Sequence, residues 1–414
     1  MNPMDDARLI DIADRYGTTT YVFDADEVQK RAVRIREIMN EGFHDSPIKL
    51  CYSIKANPFL IPALMSYVNF FEVCSPGELQ ICKRYEVPGS MIIYSGVYKD
   101  TEDIEDAINY GAAVLTAESL RHYELICDVS KRLGKRVSVL PRLTAGSQFG
   151  MSEDDLGTVL SSKNNLVDII GIHYFTGTQR EKLKHQIKEL EDLKDVFVRM
   201  REASDLPLQR LEYGPGLPFP YFESDDLSDT LRPVKELAAS LREAASWCDL
   251  TVEMGRFLAS SCGYYLARVV DIKQSAGRNW CIMDGGINHI NYLGSMMGMK
   301  IPVIKHFTSD GEAASLLTPV SDKSDKGSKD PGWALCGSLC TTNDVVVRDY
   351  TKCEPAIGDL LVFCNIGAYA VTEAMGLFLS RDLPKVVICE GDADYLARDT
   401  VPSFDINSAD PLRS

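Results

Sequence analysis

Nowhere in the 414 residues does a run of apolar side chains approach the ~18 needed to cross a bilayer. The N-terminal stretch MNPMDDARLIDIADRY is acidic and lacks the basic-then-apolar order of a secretory leader. Lys/Arg-rich runs are absent too, and 44 basic against 60 acidic residues leave a formal charge of −16. Such a chain has no electrostatic attraction to phosphate backbones or anionic lipid, which argues against nucleic-acid and membrane partners. The 12 cysteines are scattered without CxxC pairs, which reads as reduced thiols in a cytoplasmic protein. Cys336 and Cys340 are four apart, with no second pair beside them, and the six histidines form no HExxH group. No metal site is expected. A dinucleotide GxGxxG fingerprint is also missing.

What is present is ample core material, 45% hydrophobic residues, in a chain long enough for two domains. Through residue 255, short β-rich runs alternate with amphipathic helical stretches such as 119–134, 181–203 and 228–246. The runs are 48–54, 69–74, 91–95, 112–117, 137–143, 168–174, 209–213 and 249–253. Eight strand–helix repeats predict an α/β fold, a closed (β/α)8 barrel, in preference to an open doubly wound sheet. Beyond residue 256 the runs 262–273, 279–283, 344–349 and 386–389 are strand-like with few helices between them, which predicts a mainly β C-terminal domain. The segment 16–23 is strand-like as well and is expected to pair with it. The expected division is therefore a barrel over 26–257, with 1–25 and 258–414 forming the β-rich domain. The Ser/Asp/Lys-rich stretch 309–331 reads as a mobile insertion.

Reactive groups of such barrels sit at the C-terminal ends of the strands. The first run ends in Ser53-Ile54-Lys55-Ala56-Asn57-Pro58, the second carries Glu72 and Ser75, the fifth ends at Arg142 and the sixth at His173. The seventh leads into Gly214-Pro215-Gly216 and the eighth ends in Glu253-Met254-Gly255-Arg256. Each has an ordinary explanation. Lys55 reads equally as a solvated strand-end lysine, and His173 as a satisfied rim histidine. The glycines read as a plain turn, Glu253 and Arg256 as an ion pair, and Cys340 as a buried thiol. Together they offer a nucleophilic amine, a carboxylate to hold a ring nitrogen protonated, and glycine N–H groups with an arginine for a phosphate.

Six segments, taken in order, resemble the fold-type III pyridoxal-phosphate decarboxylases, which include diaminopimelate and ornithine decarboxylases and are related to alanine racemase. They are Tyr52–Pro58, Glu72–Leu79, His173–Gln179, Glu253–Arg256, Cys336–Cys340 and Gly367–Tyr369. The resemblance spans nearly the whole chain and implies a barrel with a β-rich domain, pyridoxal 5′-phosphate as cofactor and a homodimer. It further implies that Lys55 carries the cofactor as a Schiff base, that His173 stacks on its ring and that Glu253 pairs with the pyridinium nitrogen. Thr176, Gly214, Gly216, Arg256 and Tyr369 would hold the phosphate, with Glu72 and Arg142 completing the cofactor site. Cys340 would reach into the partner subunit's site and protonate Cα after decarboxylation.

Two departures concern the substrate. The residue after the catalytic cysteine, usually acidic in enzymes that take diamino acids, is Thr341. The run Asp284–Tyr292 also lacks the Arg-Pro that follows this segment in diaminopimelate decarboxylases and has Asn288 and His289 instead. The glycine turn has Pro215 where glycine is usual. With Tyr369, Thr341 and Asn288 are the substrate-side candidates. These features resemble specialised-metabolism members, among them one that decarboxylates a glutamyl unit on an acyl-carrier protein in butirosin-type biosynthesis. The expected substrate is therefore an acidic or conjugated amino acid, carrier-bound or free. A diamino-acid decarboxylase, an amino-acid racemase and a non-catalytic pyridoxal-phosphate-binding homologue are the alternatives.

Overall fold

A computed structural model describes residues 4–43, 46–162, 164–204, 208–293, 298–316 and 332–409. The chain divides into two compact units, one of Gln29–Phe219 with Asp229–Leu258, the other of Met1–Val28, Pro220–Ser228 and Ala259–Ser414.

The first unit is the barrel. Its strands are short, apolar runs, largely buried, as expected where helices cover a parallel sheet. They run Lys49–Ser53, Phe70–Val73, Ile92–Tyr94, Val114–Ala117, Val137–Pro141, Val167–Ile169, Gly171–Phe175, Arg210–Gly214 and Asp249–Met254. All pairings are parallel. The expected eight strands become nine because the sixth run breaks at Ile170. Val167–Ile169 pairs with the fifth strand, and Gly171–Phe175 pairs with Arg210–Gly214. Ile170 joins both sides: its N–H donates to the Val139 carbonyl at 3.2 Å, and its own carbonyl accepts the Arg210 N–H at 2.9 Å. A Cβ at Gly171 would fall 1.7 Å from the Arg210 carbonyl oxygen, so only glycine allows this approach. A bridge between Arg142 and His173 then closes the circuit.

The connecting helices start where side chains satisfy their first N–H groups. Ser75 accepts from Glu78 N, Ser119 from His122 N and Ser152 from Asp155 N, while Asp100 and Asp103 form a reciprocal capping box. Within the barrel, Cys51, Ile93, Val114 and Leu140 form an apolar cluster.

The second unit is a mixed sheet. Thr20–Asp24 pairs antiparallel with Gly263–Ser275 and parallel with Lys385–Glu390. Arg278–Met283, Trp333–Cys336 and Val345–Tyr350 extend the sheet on one side, Ala393–Arg398 on the other, and Leu360–Cys364 with Ile304–Phe307 form a branch. The helix Asp6–Tyr16 buries Leu9, Ile12 and Ala13 in a core with Val22, Leu266 and Val387. Part of the expected mobile insertion is tied down. Thr308 and Ala314 N–H groups donate to Glu312 O at 2.8 Å and His306 O at 2.9 Å, and 317–331 lie outside the described residues. Among the described residues no helix is long and apolar enough to cross a membrane.

Candidate functional site

Lys55 follows the first barrel strand in a single 3-10 turn, Ile54–Ala56. The turn is held from below, since the Tyr52 hydroxyl donates to the Asn57 carbonyl at 2.9 Å and the Asn57 side chain accepts from Phe59 N at 3.1 Å. The Lys55 amine lies 2.9 Å from Glu72 Oε2 and 3.5 Å from Cys74 Sγ. The Cys74 thiol donates to the other Glu72 oxygen at 3.2 Å. Burial works to raise the Glu72 carboxyl, but the Lys55 ammonium, a hydrogen bond from Ser53 and His173 outweigh it and hold the group at about 2. Burial and the Glu72 charge push the Cys74 thiol well up, so it is a neutral donor.

The strand carrying Glu253 is the immediate neighbour of the one that leads into Lys55, with Glu253 level with Cys51. His173 Nε2 stands 3.2 Å from both Glu253 oxygens, and both side chains are buried. Beneath them Glu212, level with His173, is fully buried and paired with Arg210 at 3.2 Å. Burial raises the Glu212 carboxyl well above the carboxylate range; Arg210 pulls it down, and Glu253 adds to the rise. Buried this deeply with a second carboxyl acting on it, Glu212 is favoured in its neutral form.

On the glycine side, a Cβ at Gly214 would meet Phe175 Cδ2 at 2.3 Å and Glu253 Oε2 at 3.3 Å. A Cβ at Gly216 (φ +61°) would fall 1.8 Å from the Gly177 carbonyl oxygen. Thr176 Oγ1 is buried beside them and has no hydrogen-bond partner among the described residues. Arg256 opens the short helix Arg256–Ala259. Close backbone approach, an orphaned hydroxyl and a nearby arginine suit an anion, and the carboxylate–imidazole pair with the adjacent amine suits a protonatable aromatic ring with an aldehyde. The donor set fits pyridoxal phosphate.

Arg142 is buried in an ion pair with Glu118 at 2.7 Å, and Glu118 also accepts Gly150 N–H at 2.9 Å. Lys99, buried near them, is lowered by burial to about 8. Four groups here were not singled out from the sequence: Cys74, Lys99, Glu118 and Glu212. Glu118 directly follows a barrel strand, so the strand-end rule itself pointed to it. Glu212 lies inside a strand, where only the alternation of inward-facing positions marks it.

The remaining candidates belong to the second unit. Cys340 is exposed and Thr341 partly so, in the loop after Trp333–Cys336. Asn288 is buried in the segment that this loop meets. Tyr369 is left-handed (φ +68°) and caps the turn Ala370–Glu373.

The family profile described as "Pyridoxal-dependent decarboxylase, pyridoxal binding domain" matches residues 25–260. Diaminopimelate decarboxylase of Methanocaldococcus jannaschii is 24% identical, aligned over 95% of this chain and 93% of that protein. L-glutamyl-[BtrI acyl-carrier protein] decarboxylase of Niallia circulans is 25% identical over 95% and 94%. Among solved structures, diaminopimelate decarboxylase from M. jannaschii in co-complex with L-lysine superimposes with a TM-score of 0.82 at 21% identity, covering 98% of this chain and 95% of that one.

Proposed function

Because the chain belongs to the pyridoxal-dependent decarboxylases, whose binding-domain profile covers more than half of it, we propose that it removes the α-carboxylate of an acidic or conjugated amino acid. The cofactor is pyridoxal 5′-phosphate, and the enzyme is an amino-acid decarboxylase. The observation that carries the site assignment is the Lys55 amine, 2.9 Å from Glu72 at one strand end, with Glu253 on the adjacent strand.

Bound pyridoxal phosphate supplies an electron-accepting ring for the pair left at Cα when CO2 departs. Lys55 holds the cofactor through its amine, and Glu72 and Cys74 orient that amine. Glu253 would hold a proton on the ring nitrogen, with His173 and Glu212 positioned beside it. His173 would stack on the ring, and Arg142, fixed by Glu118, would line the cofactor site. Thr176, Gly214, Gly216, Arg256 and Tyr369 hold the phosphate. Cys340, delivered by the partner of a homodimer, returns a proton to Cα. Thr341 and Asn288 stand on the substrate side. The neutral Thr341 and the absence of arginine from Asp284–Tyr292 support an acidic or carrier-tethered substrate over a diamino acid. The glutamyl-carrier decarboxylase among the relatives points the same way, whereas several others are named for diaminopimelate.

The test is twofold. Purified protein should show a visible cofactor band that borohydride fixes covalently at Lys55, and Lys55→Ala should abolish both fixation and turnover. A CO2-release screen over L-glutamate, a glutamyl thioester, L-lysine and meso-diaminopimelate should favour the first two. Covalent fixation in Lys55→Ala would refute the site, and turnover confined to meso-diaminopimelate would refute the substrate class.

A further inference from the structure

Within the second unit, three stretches of chain meet around the loop that bears Cys340. Asp344 joins two of them. Its carboxylate accepts the Ile287 N–H at 2.9 Å and the Leu339 N–H at 2.7 Å. Gly286 and Gly337 abut beside it, and a Cβ on Gly337 would fall 2.3 Å from Gly286 Cα. The third stretch precedes the strand Lys385–Glu390. Arg381 Nη2 donates to the Ser338 carbonyl at 2.9 Å, and the Asp382 carbonyl lies 3.2 Å from His289 Nε2. The Tyr265 hydroxyl stands 2.8 Å from His289 Nδ1 on the other side of the ring.

Ion pairing at this junction is incomplete among the described residues. Asp344, its buried acid, has both oxygens committed to backbone N–H groups. Thr341 is neutral. His289 is kept neutral as well, lowered to about 4 chiefly by burial, with Arg398 and Arg381 acting in the same direction. Arg381 is exposed, uses one N–H on Ser338, and pairs with no carboxylate among the described residues.

We propose that Arg381 is a specificity-determining residue that recognises a free carboxylate at the distal end of the substrate's side chain. A guanidinium offers paired N–H donors matched to a carboxylate, and its charge opposes a substrate ending in an ammonium group. The inference rests on the reading that Cys340 works at an active site. Arg381 is hydrogen-bonded to the loop carrying that thiol, so it serves whichever subunit's site Cys340 serves. It narrows the acidic-or-conjugated class to substrates with an unesterified distal acid.

The experiment uses the holoenzyme, with L-aspartate, L-glutamate and L-2-aminoadipate as acidic probes and L-glutamine as the neutral isostere of glutamate. Wild type should prefer an acidic probe, in turnover or in perturbation of the cofactor band. Arg381→Met should lose ~10²-fold in kcat/KM on that probe, mainly through KM, while glutamine changes less than ~3-fold. Arg381→Lys should recover part of the loss. The cofactor spectrum and the alkylation rate of Cys340 should match wild type in both variants. Equal losses on acidic and neutral probes, or altered Cys340 alkylation, would reduce Arg381 to a brace for the loop and overturn the proposal. So would a wild type that prefers glutamine or responds to no acidic probe. Wild-type rates in Cys340→Ala would remove the underlying assignment of Cys340, an outcome separable from a lost acidic preference.

Discussion

Replacing Glu72 with glutamine in the cofactor-free protein isolates the electrostatic core of the site. A carboxyl held at about 2 against an ordinary 4.5 corresponds to roughly 3 kcal/mol, at ~1.36 kcal/mol per pH unit. Glu72 is buried, but the Lys55 side chain is 41% exposed, and solvent screening at that end brings the expected effect to ~1–2 kcal/mol. For a domain of this size that is roughly 2–8 °C in Tm. The folded carboxyl titrates below its unfolded value, so the stabilisation is complete above about pH 4.5 and disappears as pH falls through about 2. Calorimetry of wild type and Glu72→Gln, both stripped of cofactor, should therefore show a clear difference at pH 7. The difference should narrow between pH 5 and pH 3. Equal stability at pH 7, or a gap that does not change with acid, would mean that Glu72 is not an anion paired with the Lys55 ammonium, and the reasoning would fail.

Two further substitutions probe the remaining parts. Gly216→Ala places a methyl 1.8 Å from the Gly177 carbonyl oxygen in a left-handed backbone, so the turn must shift. Cofactor retention, followed by loss of the visible band on dialysis, should fall at least ~10-fold while the fold persists; unchanged retention would remove this turn from the phosphate site. Cys340 is exposed whereas the other cysteines are buried or half-buried, so brief iodoacetamide treatment should label it first by mass spectrometry. Asp344→Ala leaves one buried and one half-buried N–H group unpaired, at ~1–3 kcal/mol for the buried one and less for the other. It should accelerate that labelling and lower product yield; an unaltered labelling rate would show that Asp344 does not hold the loop.

The barrel was legible because each strand is a short apolar run ending in polar residues, and a covered parallel sheet requires that pattern. The break at Ile170 was not, because 168–174 reads as one uninterrupted strand. Its cause is a contact across strands, the Arg210 carbonyl lying where a side chain on Gly171 would be. Lys55, Glu72, His173 and Glu253 were singled out as candidates from their positions at or near strand ends. Two groups beside them, Cys74 and Glu212, looked like ordinary strand or loop residues, since their placement depends on burial and on neighbours distant in sequence.

The amino-acid sequence by itself determined the strand–helix alternation, the family and the set of residues offered to a cofactor, because these follow from local periodicity and ordered short motifs. Only the tertiary structure decided which charges offset one another. Glu72 is an anion because Lys55 stands 2.9 Å away, Glu212 is neutral because it is buried close to Glu253, and Arg381 donates to the Ser338 carbonyl and to no carboxylate among the described residues. Ionisation in a protein is set by distance and desolvation, and neither is written in the order of residues along the chain.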